Sequence, residues 1–290
     1  MGRLIKRYRW AIPYVLMAPG IAWLAVFFVV PNVRMLQMSL SEGSVERGFT
    51  FTWDVANYTD NVVRFGENFQ NSVIFGGLAT VFCFLVGYPL AYTIAFRGGR
   101  YKNLLLFLVI SPFFTSFLIR TISWKIILGD DGPFLEIVRD ILHLVPTNFS
   151  VLGSAVAVVA GLTYEFLPFM TLPLYVSLEK IDRSLIEAAN DLYASRWGAF
   201  RRVTLPLSLP GVFAGSLLVF IPAIGDYVNA ELLGGPKTQM VGNVIQARFL
   251  AQNDYPTAAA LAFILMAAIL VGILAYARLL GTEQLTGGRA

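Results

Sequence analysis

A few carboxylates stand where a carboxylate is costly to keep. Glu165 lies inside an otherwise uncharged run, flanked by Tyr164 and Phe166. Asp226 and Tyr227 close a second such run, and Glu231 follows just beyond it. An ionisable side chain at the centre of a membrane span costs about 2.5–3.5 kcal/mol, so each is a functional candidate by default. A carboxylate beside an aromatic ring suits an organic ammonium ion. The charge attracts the cation, and the ring face adds about 0.5–2 kcal/mol of cation–π contact. Glu165 has a second reading, as one half of an ion pair with a basic residue of a partner helix that stabilises assembly. Arg120 and Lys125, near one end of another apolar run, read as side chains that snorkel to the interface.

Other chemistries lack their parts. His143 is the one histidine and reads as a solvated loop residue. Cys83, the one cysteine, falls in an apolar run, reads as a small buried hydrophobe and permits no intrachain disulfide. No metal-ligand cluster and no matched nucleophile, base and acid can be assembled from what remains. The phosphate-binding pattern G-x-x-x-x-G-K-[S/T] is absent, so the chain is not expected to bind or hydrolyse ATP.

The elements that must position these residues are membrane helices. Of 290 residues, 57% are hydrophobic and 14% charged, against about 25% charged in ordinary globular chains. A helix needs about 20 mainly apolar residues to cross a bilayer. Six runs qualify: residues 14–33, 72–96, 103–124, 149–174, 211–227 and 255–277. Soluble folds are excluded, and an all-α membrane protein is expected. The net charge of +4 does not point to nucleic acid, because the basic residues form no basic–aromatic surface.

The basic residues fix orientation instead. Arg3, Lys6, Arg7, Arg9, Arg97, Arg100, Lys102, Lys180, Arg183, Arg196, Arg201, Arg202, Arg278 and Arg289 share one side, and they are most of the chain's 22. The opposite loops carry acids such as Glu42, Asp54, Asp130 and Asp140. Both termini are therefore expected in the cytoplasm. The organisation read from this is a basic cytoplasmic segment 1–13, a single transmembrane domain 14–280 and a cytoplasmic tail 281–290. The first apolar run is too long for a signal peptide's core and lacks a cleavage site, so it reads as an uncleaved helix. Pro89, Pro112, Pro168, Pro173 and Pro222 lie inside spans. They read as ordinary kinks or as a broken helix lining a passage, with Pro168 near Glu165 the favoured place for a break. Gly211 and Gly215 form a G-x-x-x-G that permits close helix approach.

Between the fourth and fifth spans lies the cytoplasmic loop 177–206. Leu185, Ile186, Ala188, Ala189 and Leu192 recur at helical spacing, with Asp182 and Ser184 as N-cap candidates. A second amphipathic piece holds Trp197, Phe200 and Val203 against Arg196, Arg201 and Arg202, before Pro206 and Pro210. Two short helices at an angle, parallel to the membrane, fit this pattern. They read as a docking surface for a soluble partner, or alternatively as an amphipathic stretch resting on lipid.

Glu187-Ala188-Ala189, with Val203-Thr204-Leu205-Pro206 following at a fixed distance, resembles the EAA loop of ABC importer permeases. That family places glycine where this chain has Tyr193; glycine serves there as a flexible turn. Gly87-Tyr88-Pro89, Leu167-Pro168-Phe169, Pro222-Ala223-Ile224-Gly225-Asp226-Tyr227 and Gly234-Gly235-Pro236 are similar to the permeases of spermidine/putrescine importers. The resemblance implies a type I importer permease fold of six transmembrane helices in the bacterial inner membrane, with a cytoplasmic coupling helix. It implies that Glu187, Ala188, Ala189, Asp191, Leu192, Tyr193, Ala194 and Arg196 engage a cytoplasmic ATPase. Two ATPase subunits holding ATP and Mg, a second, related but different permease and an extracytoplasmic binding protein would complete the system. For a polyamine, Tyr164, Glu165, Asp226, Tyr227 and Glu231 would line the path. The rival readings are a permease for another solute (an opine, an amino-acid derivative or an oxyanion), a secondary transporter or channel, and a membrane-anchored scaffold.

Overall fold

The computed structural model describes residues 12–141, 146 and 149–280. The basic residues before 12, His143 and the tail 281–290 with Arg289 lie outside the described residues, as does the side chain of Asp140. Among the described residues, five helices are long and apolar enough to cross a membrane, or six if one pair bent at a break is counted as a single span. The all-α membrane architecture expected from the apolar runs is present. The chain forms two compact units, residues 1–64 with 247–264, and residues 65–246 with 265–290.

In the first unit, helix α1 (Pro13–Ser39) carries an apolar window of which nothing is buried. It ends in an antiparallel hairpin, β1 (Ser41–Ser44) and β2 (Gly48–Phe51), followed by α2 (Ala56–Arg64). Asn57 organises the unit: its side-chain amide donates to the Ser39 carbonyl at 2.9 Å and to the Pro256 carbonyl at 3.2 Å. Tyr255 packs between the rings of Phe49 and Phe249, with centroids 5.6 and 5.1 Å away.

The second unit is built on α3 (Gly66–Arg97), α6 (Ala155–Glu179) and α9 (Leu205–Gly225), which pack on one another around Ala79, Cys83, Val158, Leu162, Met170, Leu174 and Val219. Small residues set the closeness of that packing. A Cβ on Gly211 would stand 2.7 Å from the Pro173 carbonyl oxygen, and one on Gly215 would stand 2.8 Å from Met170 Sδ. The G-x-x-x-G pair thus lets the α9 backbone lie directly on α6. Ser154 caps α6, its hydroxyl accepting from the Ala157 N–H at 3.3 Å, so this helix starts later than the apolar run and extends further, to Glu179.

Three expectations need correction. The run 103–124 is not one continuous helix. It comprises α4 (Lys102–Ile110), a 3-10 turn (Ser111–Phe114) and α5 (Phe117–Leu128), with a bend of 93° at the break. Pro112 removes a donor, Thr115 adopts an extended conformation, and the Thr115 hydroxyl donates back to the Pro112 carbonyl at 2.7 Å. The break is consequently at Pro112 and not at Pro168. Helix α6 runs unbroken through Pro168 and Pro173, and between them the Thr171 hydroxyl donates to the Leu167 carbonyl at 2.9 Å. Finally, the second amphipathic piece is not a separate helix. Helix α8 (Arg196–Ala199) continues through a π-helical turn (Phe200–Thr204) straight into α9. The wider turn accommodates Pro206 without ending the helix.

Candidate functional site

Two places in the second unit gather the chemically equipped residues, and both are set by how local helix ends are finished. The first is the stretch between α6 and α9. Helix α7 (Arg183–Asp191) begins at Asp182, whose carboxylate accepts the Ser184 N–H at 2.9 Å. The same Ser184 bonding holds the Asp182 carboxyl below its ordinary value of 3.8. At the other end, the Tyr193 N–H donates to Asn190 O at 2.9 Å and the Ala194 N–H donates to Ala189 O at 3.0 Å. This pair of bonds is the Schellman closure, which needs a left-handed residue just past the cap. Tyr193 is that residue, with φ of 61°. The turn expected of glycine is therefore kept with a tyrosine in it, at a strain of about 1–2 kcal/mol.

What anchors this stretch is aromatic. Phe200 meets Tyr88 edge-on at 5.7 Å, and the Tyr88 hydroxyl bonds to that of Ser208 at 2.8 Å. Lys102 pairs with Glu179 and lies over the Tyr175 ring, tying α4 to the end of α6. Outside those anchors the surface is bare. Tyr193 is 99% exposed, and Leu192, Trp197 and Leu185 are exposed with it. Glu187, Ala188, Asp191 and Arg196 are exposed too, while Ala189 and Ala194 are half-buried.

The second place is buried. Arg120 on α5 forms an ion pair with Glu165 on α6; the two residues are 9% and 4% exposed. Asp226, at the end of α9, is buried too, and Asn229, which bonds it, lies against Gly161, one turn before Glu165 on α6. Its carboxylate also accepts the Asn229 N–H at 2.8 Å, starting α10 (Val228–Leu233). The Phe113 ring lies 5.6 Å from the Arg120 guanidinium carbon. Among the described residues, Arg120 Nε, Arg120 Nη1 and Asn229 Nδ2 are buried without a hydrogen-bond partner. A buried donor left unmet costs about 1–3 kcal/mol.

Arg120 corrects the sequence reading. It does not snorkel, because the break at Thr115 turns α5 across the bundle, where it packs against α6 and α10. Lys125, on the same helix, is exposed. Of the expected path residues, Glu165 and Asp226 are brought together. Tyr164 packs on Trp124 at 5.4 Å between centroids, Tyr227 is half open, and Glu231 accepts from the Asn243 amide at 3.1 Å. Asn243 also donates to the Tyr227 carbonyl at 2.9 Å, which makes it and helix α11 (Val241–Gln246) supports of this region. Arg120, Asn229 and Asn243 were missed as members of the site. An opposite-sign pair in neighbouring spans was the signal available for Arg120.

A many-helix membrane bundle, with a bare strained loop on one helix hairpin and a buried charge cluster within it, is the frame of a transport protein. The model of the family described as binding-protein-dependent transport system inner membrane component matches residues 85–280, and the chain belongs to that family. Both places described above fall inside the matched region. The chain is 39% identical over 259 residues to the spermidine/putrescine transport system permease protein PotB of Haemophilus influenzae, covering 89% of this chain and 90% of the relative. It is 36% identical to the protein of that name from Escherichia coli, covering 89% and 94%. In fold it matches a bacterial ABC transporter for the acidic polysaccharide alginate, with a TM-score of 0.77, 18% identity and coverage of 96% and 98%. The MetNI methionine ABC transporter is more distant, with a TM-score of 0.59, 17% identity and coverage of 77% and 95%. The protein is thus a multi-pass inner-membrane component of a binding-protein-dependent transport system.

Proposed function

We propose that this chain is the permease subunit of an ATP-driven importer for polyamines of the spermidine/putrescine class. Glu165 and Asp226, enclosed together within the bundle, carry this reading. A flexible polycation needs carboxylates to leave water, and the bundle encloses two carboxyl groups against one guanidinium. The relatives at 36–39% identity support the same substrate class.

The loop from Glu187 to Arg196 faces the cytoplasm in this reading, as do both termini, and docks on an ATPase subunit. Two ATPase subunits with ATP and Mg, a second permease chain and an extracytoplasmic binding protein complete the importer. Substrate then crosses by alternating access, with ATPase closure relayed through the loop. Arg120 favours one second reading, an oxyanion path, and a probable molybdenum ABC transporter permease of Haloferax volcanii is 33% identical over 205 residues. The charge balance decides against it, since two carboxylates outnumber one guanidinium.

Uptake of labelled putrescine, spermidine and molybdate by the importer reconstituted in liposomes tests the assignment. Glu165→Gln and Asp226→Asn are each expected to raise the polyamine KM about tenfold, the equivalent of about 1.4 kcal/mol. Molybdate uptake without polyamine uptake would overturn it.

A further inference from the structure

We propose that Arg120 is a tethered stand-in for the substrate's ammonium group: it occupies Glu165 while the path is empty, and the incoming cation displaces it. The inference rests on the reading that Glu165 and Asp226 meet substrate, and it goes beyond that reading by assigning a role to the cation already present.

Three features of the cluster carry it. The first is the poor saturation of the ion pair. A guanidinium has five N–H donors in a fixed fork, and a buried pair offsets its desolvation only when the remaining donors are also bonded. Here Nη2 reaches Glu165, while Nε and Nη1 are buried without partners among the described residues. An ion pair shaped for stability would use the fork; this one holds Arg120 by charge, with three of its five N–H donors unmatched among the described residues. It is correspondingly easy to exchange for another cation.

The second feature is charge. Two carboxyl groups, Glu165 and Asp226, share the buried region with a single guanidinium. A substrate with two or more ammonium groups can neutralise both carboxylates, but only if Arg120 leaves Glu165. With Arg120 in place, a singly charged amine satisfies the balance yet gains only one carboxylate. The device therefore favours polycations over monoamines.

The third feature is somewhere for Arg120 to go. Helix α5 is short and begins at an extended joint, Thr115 with ψ of 149° and Ser116 with ψ of 136°. Phe113, on the far side of that joint, already presents its ring to the guanidinium. A swing about the joint carries Arg120 from carboxylate toward ring without breaking α6, which is held along its length by α3 and α9.

The test uses the complete importer, with binding protein, partner permease and ATPases, in liposomes. If an empty site is open only a fraction of the time, apparent affinity falls by that fraction. Arg120→Gln should then lower the KM for spermidine uptake, about tenfold if the site is open a tenth of the time. Arg120→Lys, which keeps a cation, should stay near wild type. The gain should vanish in an Arg120→Gln, Glu165→Gln double variant. Monoamine inhibition of spermidine uptake should strengthen in Arg120→Gln relative to wild type.

A raised or unchanged KM in Arg120→Gln, with Glu165→Gln still raising it, would make Arg120 a structural clamp and overturn the proposal alone. Insensitivity of KM to Glu165→Gln and Asp226→Asn would overturn the underlying reading and the proposal with it. Should Arg120→Gln assemble poorly, thermal unfolding of the purified complex decides. Saturating spermidine should close the stability gap between Arg120→Lys and wild type, because substrate then holds the carboxylate in both. A gap unchanged by spermidine would sink the displacement.

Discussion

In the loop between α6 and α9, helix α7 bonds its own ends while the side chains of Leu192, Tyr193 and Trp197 stand bare. In the Arg120–Glu165 cluster, the side chains are enclosed, yet Arg120 Nε and Nη1 and Asn229 Nδ2 lack partners among the described residues. The loop is complete as backbone and incomplete as surface; the cluster is complete as surface and incomplete as hydrogen bonding. Each is missing a partner of the matching kind. A protein face can cover exposed rings, and a small polar cation can enter an under-bonded charge cluster.

The largest effect should come from the loop. Reversing the charge of Glu187 at a face that loses water on docking costs about 2–5 kcal/mol, and each 1.4 kcal/mol is about tenfold. Glu187→Lys is therefore expected to cut uptake about thirtyfold or more in the reconstituted importer, with the membrane level of the permease unchanged. Wild-type uptake would show that nothing docks there. Tyr193→Gly relieves left-handed strain of about 1–2 kcal/mol, whereas Tyr193→Ala removes the ring and keeps the strain. If the ring itself is read by the ATPase, both should weaken docking about tenfold, as loss of an interface anchor does. Tyr193→Phe should restore it. Docking at full strength by Tyr193→Gly would mean that the strained tyrosine serves no partner.

The smallest effect concerns Asp182. Its folded carboxyl titrates below 3.8, the unfolded value, so its cap on α7 is fully present above about pH 4. The contribution fades as pH falls through the lower folded value. Asp182→Ala should loosen α7 at neutral pH, seen as faster amide exchange at Ser184 and Leu185, and should erase that acid dependence. Unaltered exchange would remove Asp182 from the account of how the loop is held.

The loop was legible in the sequence because everything that shapes it is local. Asp182 and the helical spacing of Leu185, Ile186, Ala188 and Ala189 specify α7 within a dozen residues, and even Tyr193 did not disturb the turn expected of glycine there. The cluster was only half legible. Glu165 and Asp226 stood out as charges in apolar runs, but their partner depended on a bend that single-residue patterns do not announce. Pro112 was one proline among several, and only the extended joint at Thr115 distinguishes it from Pro168, which α6 absorbs. The same difficulty hid the continuity of α8 with α9. A π-helical turn carries no sequence periodicity of its own, so Pro206 read as a boundary.

The glycine seam at Gly211 and Gly215 has a mechanical consequence. The α9 backbone rests on Pro173 and Met170 of α6 there, with no side chain of Gly211 or Gly215 between the two helices to act as a cushion. The hairpin of α6, α7 and α9 is clamped near its middle, like the rivet of a pair of shears. From Glu179 back to Glu165 is about 20 Å of helix at about 1.5 Å per residue. On the proposed function, a push on the handles at α7 arrives at the blades, Glu165 on one and Asp226 on the other, where a cation would be gripped and released.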